Sequence, residues 1–498
     1  MRTVAPDQNR TLASLLLRVD RRGASPLHAQ IDQSLRDRIL SGAVAPGTLL
    51  PSSRTLAAEL GVARTTVLQA LEALQAEGFL VAAARSGVRV APELPLDRPS
   101  LPARGVERAS LPPRLSGAAR ALQATATGAP RLGAAPRPFR PGLPALDLFP
   151  ISVWSRIVSR CQARASLRLL EGGETAGHPA LRRAIAEHVV AARGARCGPE
   201  QVFITAGTQQ AYEEMLRLLI DPGDAVWLED PGYLGARRAV LGAAARPVPV
   251  PVDEDGMDVE AGIARAPRAR LAILAPSHQY PLGVTLSLAR RMALLRWAAE
   301  RRALVLEDDY DSEFRHRGRP LAALQGLDET GSVVYAGTFS KTMFPGLRLG
   351  YLIVPPALVD VLAAARASLP APVSALEQAA LAVFMEEGHF ARHLRRMRGV
   401  YRERGEALLE ALASRCAGAL EPRPCDTGMQ VCATLPAGVS DREVRDRAAR
   451  LGIEVAPLSD YTLGRPPRRG GLVFGFGAIR PAAIRAGVET LQRALETA

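Results

Sequence analysis

Apolar positions recur with a helical period near the start of the chain. Four aliphatic residues spaced four apart form one face of a helix that ends at Gly42. They are Leu27, Ile31, Leu35 and Ile39. Two shorter helical patterns follow, separated by Gly61, and two short apolar segments come after Gly78. Two short helices joined by a glycine turn predict a helix-turn-helix, and the segments after it predict a β-wing.

Further along, short aliphatic runs alternate with helical patterns. Five of these runs are predicted as buried strands. They are Val202–Thr205, Ala225–Glu229, Leu271–Leu274, Leu304–Glu307 and Val333–Ala336. Strands that alternate with helices predict an α/β fold whose mostly parallel sheet is covered on both faces.

The pattern divides the chain into three parts. Residues 1–90 are predicted as a small α+β module, and residues 139–498 as the α/β domain, with a smaller α+β subdomain from about residue 370. Residues 91–138 between them are rich in proline, alanine and arginine. That composition predicts a semi-extended, mostly disordered linker.

Composition narrows the class of protein. Of 498 residues, 47% are hydrophobic and 23% are charged, as in ordinary globular chains, which excludes a mostly disordered or collagenous protein. No run approaches the ~20 apolar residues of a membrane span, and the first residues lack the apolar core of a signal peptide. Five cysteines without CxxC spacing argue against a zinc site and favour a reduced compartment, so we expect a cytoplasmic protein.

The basic residues carry the most specific compositional signal. A formal charge of +13 favours a polyanionic partner such as DNA. Of the 63 basic residues only Lys341 is a lysine. Arginine replaces lysine wherever a positive charge is enough, but its guanidinium is not an amine nucleophile. A Schiff base with a carbonyl needs a lysine, so Lys341 is a candidate for that role.

The helix-turn-helix pattern supplies candidate DNA contacts. The second helix would enter the major groove with its N-terminal residues at base edges, while arginines on the first helix and the wing would contact the backbone. The candidates are Ser52, Ser53, Arg54, Arg64, Thr65, Thr66, Arg85 and Gly87. A helical hairpin with no role in DNA binding remains the alternative, because the pattern alone is weakly specific.

Polar residues follow several of the predicted strands. Thr208 and Gln209 open a helix that could bind a phosphate, and Tyr233 follows the next strand. Asp308 lies at the end of a buried strand, where it could hold a pyridinium or a magnesium ion. Ser340 and Lys341 follow the last predicted strand. Together these residue types favour a pyridoxal-phosphate site.

Two resemblances extend this interpretation. The segment from PLHAQIDQ to LQAEGFL resembles the winged-helix DNA-binding domain of the GntR family. The motifs TAGTQQ, EDPGYLGARR, EDDYDSEFR and YAGTFSKTMFPGLRLGY are similar to fold-type I aminotransferases, and most to their MocR/GabR regulator branch. The resemblance implies that Lys341 forms the Schiff base with the cofactor. It implies seven further cofactor contacts: Thr208, Gln209, Tyr233, Asp308, Tyr310, Ser340 and Arg348.

The chain also departs from the aminotransferase pattern. Where aminotransferases have NPxNPTG, this chain has SHQYPLG, so Tyr280 replaces the asparagine that usually meets the ring oxygen. We identify no arginine for a substrate carboxylate, and Asp460 stands where some relatives place a basic residue. Asp460 is therefore expected to disfavour a carboxylate.

The resulting hypothesis is a DNA-binding transcriptional regulator whose effector domain binds pyridoxal 5'-phosphate. The resemblance implies a homodimer and a small amine or amino acid effector that acts at Lys341. Two alternatives stay open. One is an active aminotransferase with an appended DNA-binding head, and the other is an inactive domain that serves only to dimerise.

Overall fold

The computed structural model describes residues 17, 19–21, 25–83, 87–92, 94, 114–125, 137–318, 321–368, 373–464 and 467–496. The chain forms two compact units, residues 1–113 and 114–498. Within the described ranges, no helix combines the length and the apolar character that crossing a bilayer requires.

The first unit is a winged helix-turn-helix. Its helices and strands are α1 (Leu27–Leu40), α2 (Ser53–Leu60), α3 (Arg64–Ala76), β1 (Leu80–Ala82) and β2 (Val88–Val90). The Ser52 side chain caps α2 by accepting a hydrogen bond from Thr55 N at 3.2 Å. Gly61 ends α2 with a φ of 62°, a left-handed conformation that glycine adopts without strain. The wing is the antiparallel pair β1–β2.

The predicted apolar stripes form the core of this first unit. Ile31, Leu35 and Ile39 of α1 are buried against Val67 and Leu71 of α3. Charged side chains stay on the outside, so the functional surface is the part of the fold that the core leaves exposed.

Part of the predicted linker is helical, which differs from the expected disorder. Helix α4 (Gly117–Ala124) belongs to the second unit and packs against the helix Leu234–Gly242. Arg238 Nη2 donates to the carbonyl of Thr125 at 2.7 Å. The proline-, alanine- and arginine-rich composition of the linker concealed this helix, because so short a helix needs packing partners elsewhere in the chain.

An eight-stranded sheet forms the centre of the second unit, in the order β3-β10-β9-β8-β7-β4-β5-β6. Its strands are β3 (Val202–Thr205), β4 (Ala225–Asp230), β5 (Arg246–Asp253), β6 (Gly256–Met257), β7 (Leu271–Leu274), β8 (Leu304–Asp309), β9 (Val333–Thr338) and β10 (Gly350–Ile353). The neighbouring strands β9, β8, β7, β4 and β5 pair in parallel, and β10 pairs antiparallel with both β3 and β9. The predicted α/β class with a mostly parallel sheet is confirmed.

Strand β5 was missed because proline lacks the N–H that a ladder needs. Pro247, Pro249 and Pro251 alternate along β5. Residues two apart point their N–H groups to the same side, so all three prolines face away from β4, with which β5 pairs in parallel. The outer side of β5 carries only the two-residue strand β6, which leaves the missing donors without consequence.

Helices cover both faces of this sheet. They are α5 (Ile151–Ala163), α6 (Leu167–Leu170), α7 (Pro179–Arg193), α8 (Thr208–Leu219), α9 (Leu234–Gly242), α10 (Val259–Arg265), α11 (Leu288–Arg301), α12 (Leu324–Leu327), α13 (Pro356–Ala367) and α14 (Ala375–Glu386). A smaller subdomain follows, with a four-stranded sheet in the order β11-β12-β14-β13. Its elements are α15 (His389–Arg415), β11 (Glu421–Pro422), β12 (Gln430–Thr434), α16 (Asp441–Arg450), β13 (Ala456–Pro457), β14 (Gly471–Gly475) and α17 (Pro481–Glu496).

Candidate functional site

One cavity of about 320 Å³ lies at the carboxyl ends of the parallel strands. This is the edge of an open α/β sheet where ligands bind, because several loops converge there. All eight predicted cofactor contacts line this cavity. They are Thr208, Gln209, Tyr233, Asp308, Tyr310, Ser340, Lys341 and Arg348.

The amine of Lys341 is held inside the cavity. Its Nζ donates to the carbonyl oxygen of Gly142 at 2.6 Å. Gly142 has a φ of 75°, which favours glycine, and a Cβ there would lie 2.8 Å from Nζ and would displace the amine. Burial lowers the pKa of Lys341, although the charges of Asp311 and Asp308 oppose that shift. A lowered pKa increases the neutral, nucleophilic fraction of an amine.

Asp308 carries an unsatisfied oxygen. Its Oδ2 accepts a hydrogen bond from the Tyr212 hydroxyl at 2.5 Å. Its Oδ1 is buried and has no hydrogen-bond partner among the described residues. Burial raises the pKa of Asp308 to about 7. A buried polar atom without a partner is costly, and a cationic N–H donor from a ligand would satisfy it.

The start of helix α8 also lines the cavity. Helix α8 begins at Thr208, directly after Gly207, whose φ of 94° turns the chain out of β3. The first N–H groups of a helix have no partner within it and attract anions. Ser340 and Arg348, which bears a guanidinium, line the same cavity.

The cavity therefore fits pyridoxal phosphate at three chemically distinct points. Lys341 offers an amine, the unpaired oxygen of Asp308 could accept from a cationic ring N–H, and the start of α8 and Arg348 could bind a phosphate. Tyr233, with a side chain in the cavity wall, supplies an aromatic surface for the ring.

Tyr310 is engaged by neighbours that sequence reasoning did not identify. Its hydroxyl accepts a hydrogen bond from Nε2 of Gln430 at 3.0 Å and lies 3.1 Å from Nδ1 of His278. The same Nδ1 lies 2.7 Å from Oδ1 of Asp311. Both His278 and Asp311 are buried, so these contacts fix the position of the Tyr310 ring.

Tyr280, which replaces the usual asparagine, faces the smaller subdomain. Its hydroxyl lies 2.8 Å from that of Tyr461. Asp460, the neighbour of Tyr461, accepts a hydrogen bond from Nε of Arg442 at 3.0 Å, and Nη1 of Arg445 lies 3.6 Å from it. These cations offset the charge of Asp460, which is not among the residues lining the cavity, so its effect on a carboxylate stays a prediction.

On the winged helix, most of the candidate DNA contacts that the structure describes are exposed. Arg54 on α2 is exposed, as are Arg64 and Thr65 in the first turn of α3, whereas Thr66 is half-buried. Nε of Arg64 donates to the Ser53 hydroxyl at 3.2 Å. Of the two wing candidates, Gly87 is exposed and Arg85 lies outside the described residues. Arg89 on β2 is a further exposed cation that sequence reasoning missed.

Two family models match the chain. The model of bacterial regulatory proteins of the gntR family matches residues 27–90, and the model of aminotransferase class I and II matches residues 148–464. Over 481 residues the chain is 40% identical to the probable rhizopine catabolism regulatory protein MocR of Rhizobium meliloti, and the alignment covers 96% of both chains. The chain belongs to the MocR-type transcriptional regulators.

Other matches agree with this assignment. This MocR-type regulator is 32% identical over 473 residues to the pyridoxine biosynthesis transcriptional regulator PdxR of Corynebacterium glutamicum, covering 94% of this chain and 95% of the relative. It superposes with a TM-score of 0.66 and 30% identity on the α-aminoadipate aminotransferase LysN of Thermus thermophilus, covering 72% of this chain and 92% of that one. The LysN structure is complexed with N-(5'-phosphopyridoxyl)-L-leucine. The predicted combination of a GntR head with a fold-type I domain is confirmed.

Three residues that line the cavity were not predicted from the sequence, because they do not follow a strand of the large sheet. Gly142 precedes the sheet, and Gln430 and Tyr461 belong to the smaller subdomain. No local pattern marks these three positions. His278 lies in the SHQYPLG motif. The available signal for it was that this motif departs from the aminotransferase pattern.

Proposed function

We propose that this MocR-type regulator binds operator DNA with its winged helix and pyridoxal phosphate at Lys341, and that an amine effector acting there changes operator affinity. The observation that carries the proposal is the pairing of Lys341 with Asp308 in one cavity. The only lysine of the chain has a lowered pKa there, and the unpaired Asp308 oxygen points to a cationic partner.

When bound, pyridoxal phosphate supplies a carbonyl that condenses with amines and a ring that withdraws electrons from them. Lys341 holds the amine that this carbonyl requires, and Gly142 positions its Nζ. Asp308 would accept the ring N–H through Oδ1 while Tyr212 holds Oδ2. A charged hydrogen bond of this kind stabilises its partners by about 1.5–3 kcal/mol.

The remaining cavity residues would hold the cofactor in place. Thr208, Gln209 and Ser340 would donate to the phosphate, and Arg348 would add a charged contact. Tyr233 would cover a face of the ring. Tyr310, fixed by its neighbours, would donate to the ring oxygen.

On the DNA side, the proposed contacts are those of the exposed winged-helix surface. Arg64, Thr65 and Thr66 would reach base edges, whereas Arg54 and the wing residues Arg85 and Gly87 would meet the backbone. Ser52 and Ser53 would bind phosphate at the start of α2. We further infer a homodimer, in which two winged helices read two half-sites. Light scattering of the purified protein measures that state.

An active aminotransferase is the second candidate function, favoured by the fit of the cavity and by the match to LysN. A transaminase must complete two half-reactions and release two products. A sensor needs only an amine that displaces Lys341 and prefers one domain arrangement. Its effect on DNA affinity is then limited to that preference, typically about 1–3 kcal/mol.

The experiment titrates the cofactor-loaded protein with a panel of amines and amino acids. Visible absorbance, operator affinity and turnover with keto acids are measured on the same samples. We expect the effective amine to change absorbance and operator affinity together with little turnover, and Lys341→Ala to abolish both responses while keeping basal DNA binding. Sustained turnover with unchanged operator affinity would establish the aminotransferase instead.

A further inference from the structure

Among the described residues that line the cavity, one cation is not used by the proposed cofactor contacts. Arg237, on helix α9, lines the same cavity as Lys341 and Arg348. Nη1 of Arg237 donates to the carbonyl oxygen of Thr462 at 3.3 Å, a long hydrogen bond. Its Nε is buried and has no hydrogen-bond partner within the part of the chain that the structure describes. The guanidinium is therefore only partly satisfied.

The hydrogen-bond partner of Arg237 lies in the smaller subdomain. Thr462 follows Tyr461, whose hydroxyl meets that of Tyr280 and whose carbonyl accepts from Gly232 N at 3.0 Å. Nη1 of Arg237 therefore reaches the segment of the smaller subdomain that carries Tyr461 and Thr462.

The carboxyls near Arg237 do not balance its charge. Among the described residues, no carboxylate lies within ion-pair distance of Arg237; the ion pairs formed in that region belong to other arginines. Glu229 lines the cavity, but burial raises its pKa to about 8, so it is mostly uncharged at neutral pH. The two carboxylate oxygens of Asp230 accept hydrogen bonds from the backbone N–H groups of Leu463 and Gly464, in the segment that follows Thr462.

A partly buried cation without a carboxylate is costly unless a ligand supplies the anion. We propose that Arg237 binds the anionic group of the effector, so that the effector is a small amino acid or another amine bearing an oxyanion. Its amine would meet the cofactor at Lys341 while its carboxylate meets Arg237. This inference rests on the proposed function, and it supplies the carboxylate contact that no sequence motif identified.

The test compares ligands that differ only in the anion. The cofactor-loaded full chain is titrated with α-, β- and γ-amino acids of up to six carbons, each beside the amine that lacks the carboxylate, such as β-alanine beside ethylamine. The change in visible absorbance gives each dissociation constant without any turnover. We expect at least one amino acid to bind about tenfold or more tightly than its matched amine.

Arg237→Ala should remove that ratio and leave the affinity for the matched amine unchanged. Arg246→Ala is the control, because Arg246 carries the same charge, is exposed on β5 and is not among the residues lining the cavity. We expect it to keep the ratio. Arg237→Gln, which retains hydrogen-bond donors, serves if the alanine variant does not load the cofactor, and it should lower the ratio as well.

Two results would overturn the proposal. Equal affinity of the loaded protein for every acid and its matched amine would show that no anion is recognised. If Arg237→Ala and Arg237→Gln weakened the affinity for the amino acid and for its matched amine equally, the role of Arg237 would be to position the segment around Thr462. Failure of the proposed function is distinguishable, since it would show as no cofactor on Lys341, or as amine binding without any change in operator affinity.

Discussion

In the winged helix, the candidate functional residues of α2 and α3 lie within fifteen positions of one another, on two consecutive helices, and most of them face solvent. In the cofactor cavity, Asp308 and Lys341 come from separate strand ends, and Gln430 and Tyr461 come from another subdomain. The cavity side chains are largely withdrawn from water, and several have shifted pKa values.

This contrast determines how each region responds to change. Exposed charges act through a high dielectric and are screened by salt, so each contributes a modest, graded amount. Buried groups act at low dielectric and depend on a particular partner, so the loss of one is severe. The four predictions that follow test this difference, beginning with the largest effect.

The largest effect is expected at Lys341. Borohydride reduction of the cofactor-loaded protein should fix pyridoxal phosphate on Lys341, located by mass spectrometry of peptides. Lys341→Ala and Lys341→Arg should show no fixed cofactor, because the chain has no second lysine and a guanidinium does not condense with the carbonyl. Label on any other residue, or an unlabelled wild type after reconstitution, would refute the site.

The second prediction concerns pH and Asp308. Because burial raises the pKa of Asp308 to about 7 in the folded protein, its protonated form favours folding. That contribution is fully present below the unfolded pKa of about 4 and is lost as the pH rises through 7. In the cofactor-free protein, the free energy of unfolding should therefore fall between these values. Asp308→Asn should reduce the fall by up to about 4 kcal/mol.

Denaturant titrations from pH 4.5 to 8 measure this effect. Asp328 provides a contrast of opposite sign, because the backbone N–H groups of Thr330, Ser332 and Val333 lower its pKa against the opposing effect of burial. Its contribution is present above the unfolded pKa and is lost toward acid, so Asp328→Asn should leave the loss near neutral pH intact. Equal pH dependence of the wild type and Asp308→Asn would contradict the prediction.

How far the sequence predicts each region follows from the same contrast. The winged helix was predictable because Ser52, Gly61 and the spacing of Ile31 and Leu35 are local signals with one structural solution each. In the second unit, the strand ends were predictable because aliphatic runs followed by polar residues mark them. Strand β5 was not, since its prolines contradict the usual strand composition.

The candidate site was predictable only where a motif follows a strand. All eight predicted cofactor contacts line the cavity for that reason. Gly142 and Gln430 were beyond reach, because long-range folding brings them to Lys341 and Tyr310. Arg237 was visible in the EDPGYLGARR motif, but whether its side chain faced the cavity depended on how α9 packs.

The third prediction concerns Arg64, an exposed residue of the winged helix. If Arg64 reads a guanine, Arg64→Ala should weaken operator binding by about 1–3 kcal/mol and relax specificity at that base. Arg64→Lys keeps the charge but loses the planar pair of donors, so it should retain binding to nonspecific DNA while losing much of the preference for the operator. Fluorescence anisotropy with operator and scrambled duplexes measures both. Unchanged operator binding in the alanine variant would contradict the placement of α3 in the groove.

The smallest effect is expected at Arg54, which is exposed on α2 and would meet a phosphate instead of a base. Without the Arg54 side chain, DNA binding should release about one counterion fewer. Arg54→Ala should therefore reduce the magnitude of the slope of log affinity against log salt by about 0.9, for operator and scrambled DNA alike. Arg156→Ala is the matched control, an exposed arginine on α5 outside the winged helix, and it should leave the slope unchanged. Anisotropy titrations at several salt concentrations give the slope. A loss confined to the operator would mean that Arg54 reads sequence, and the distinction between backbone and base contacts drawn for the two helices would then be wrong.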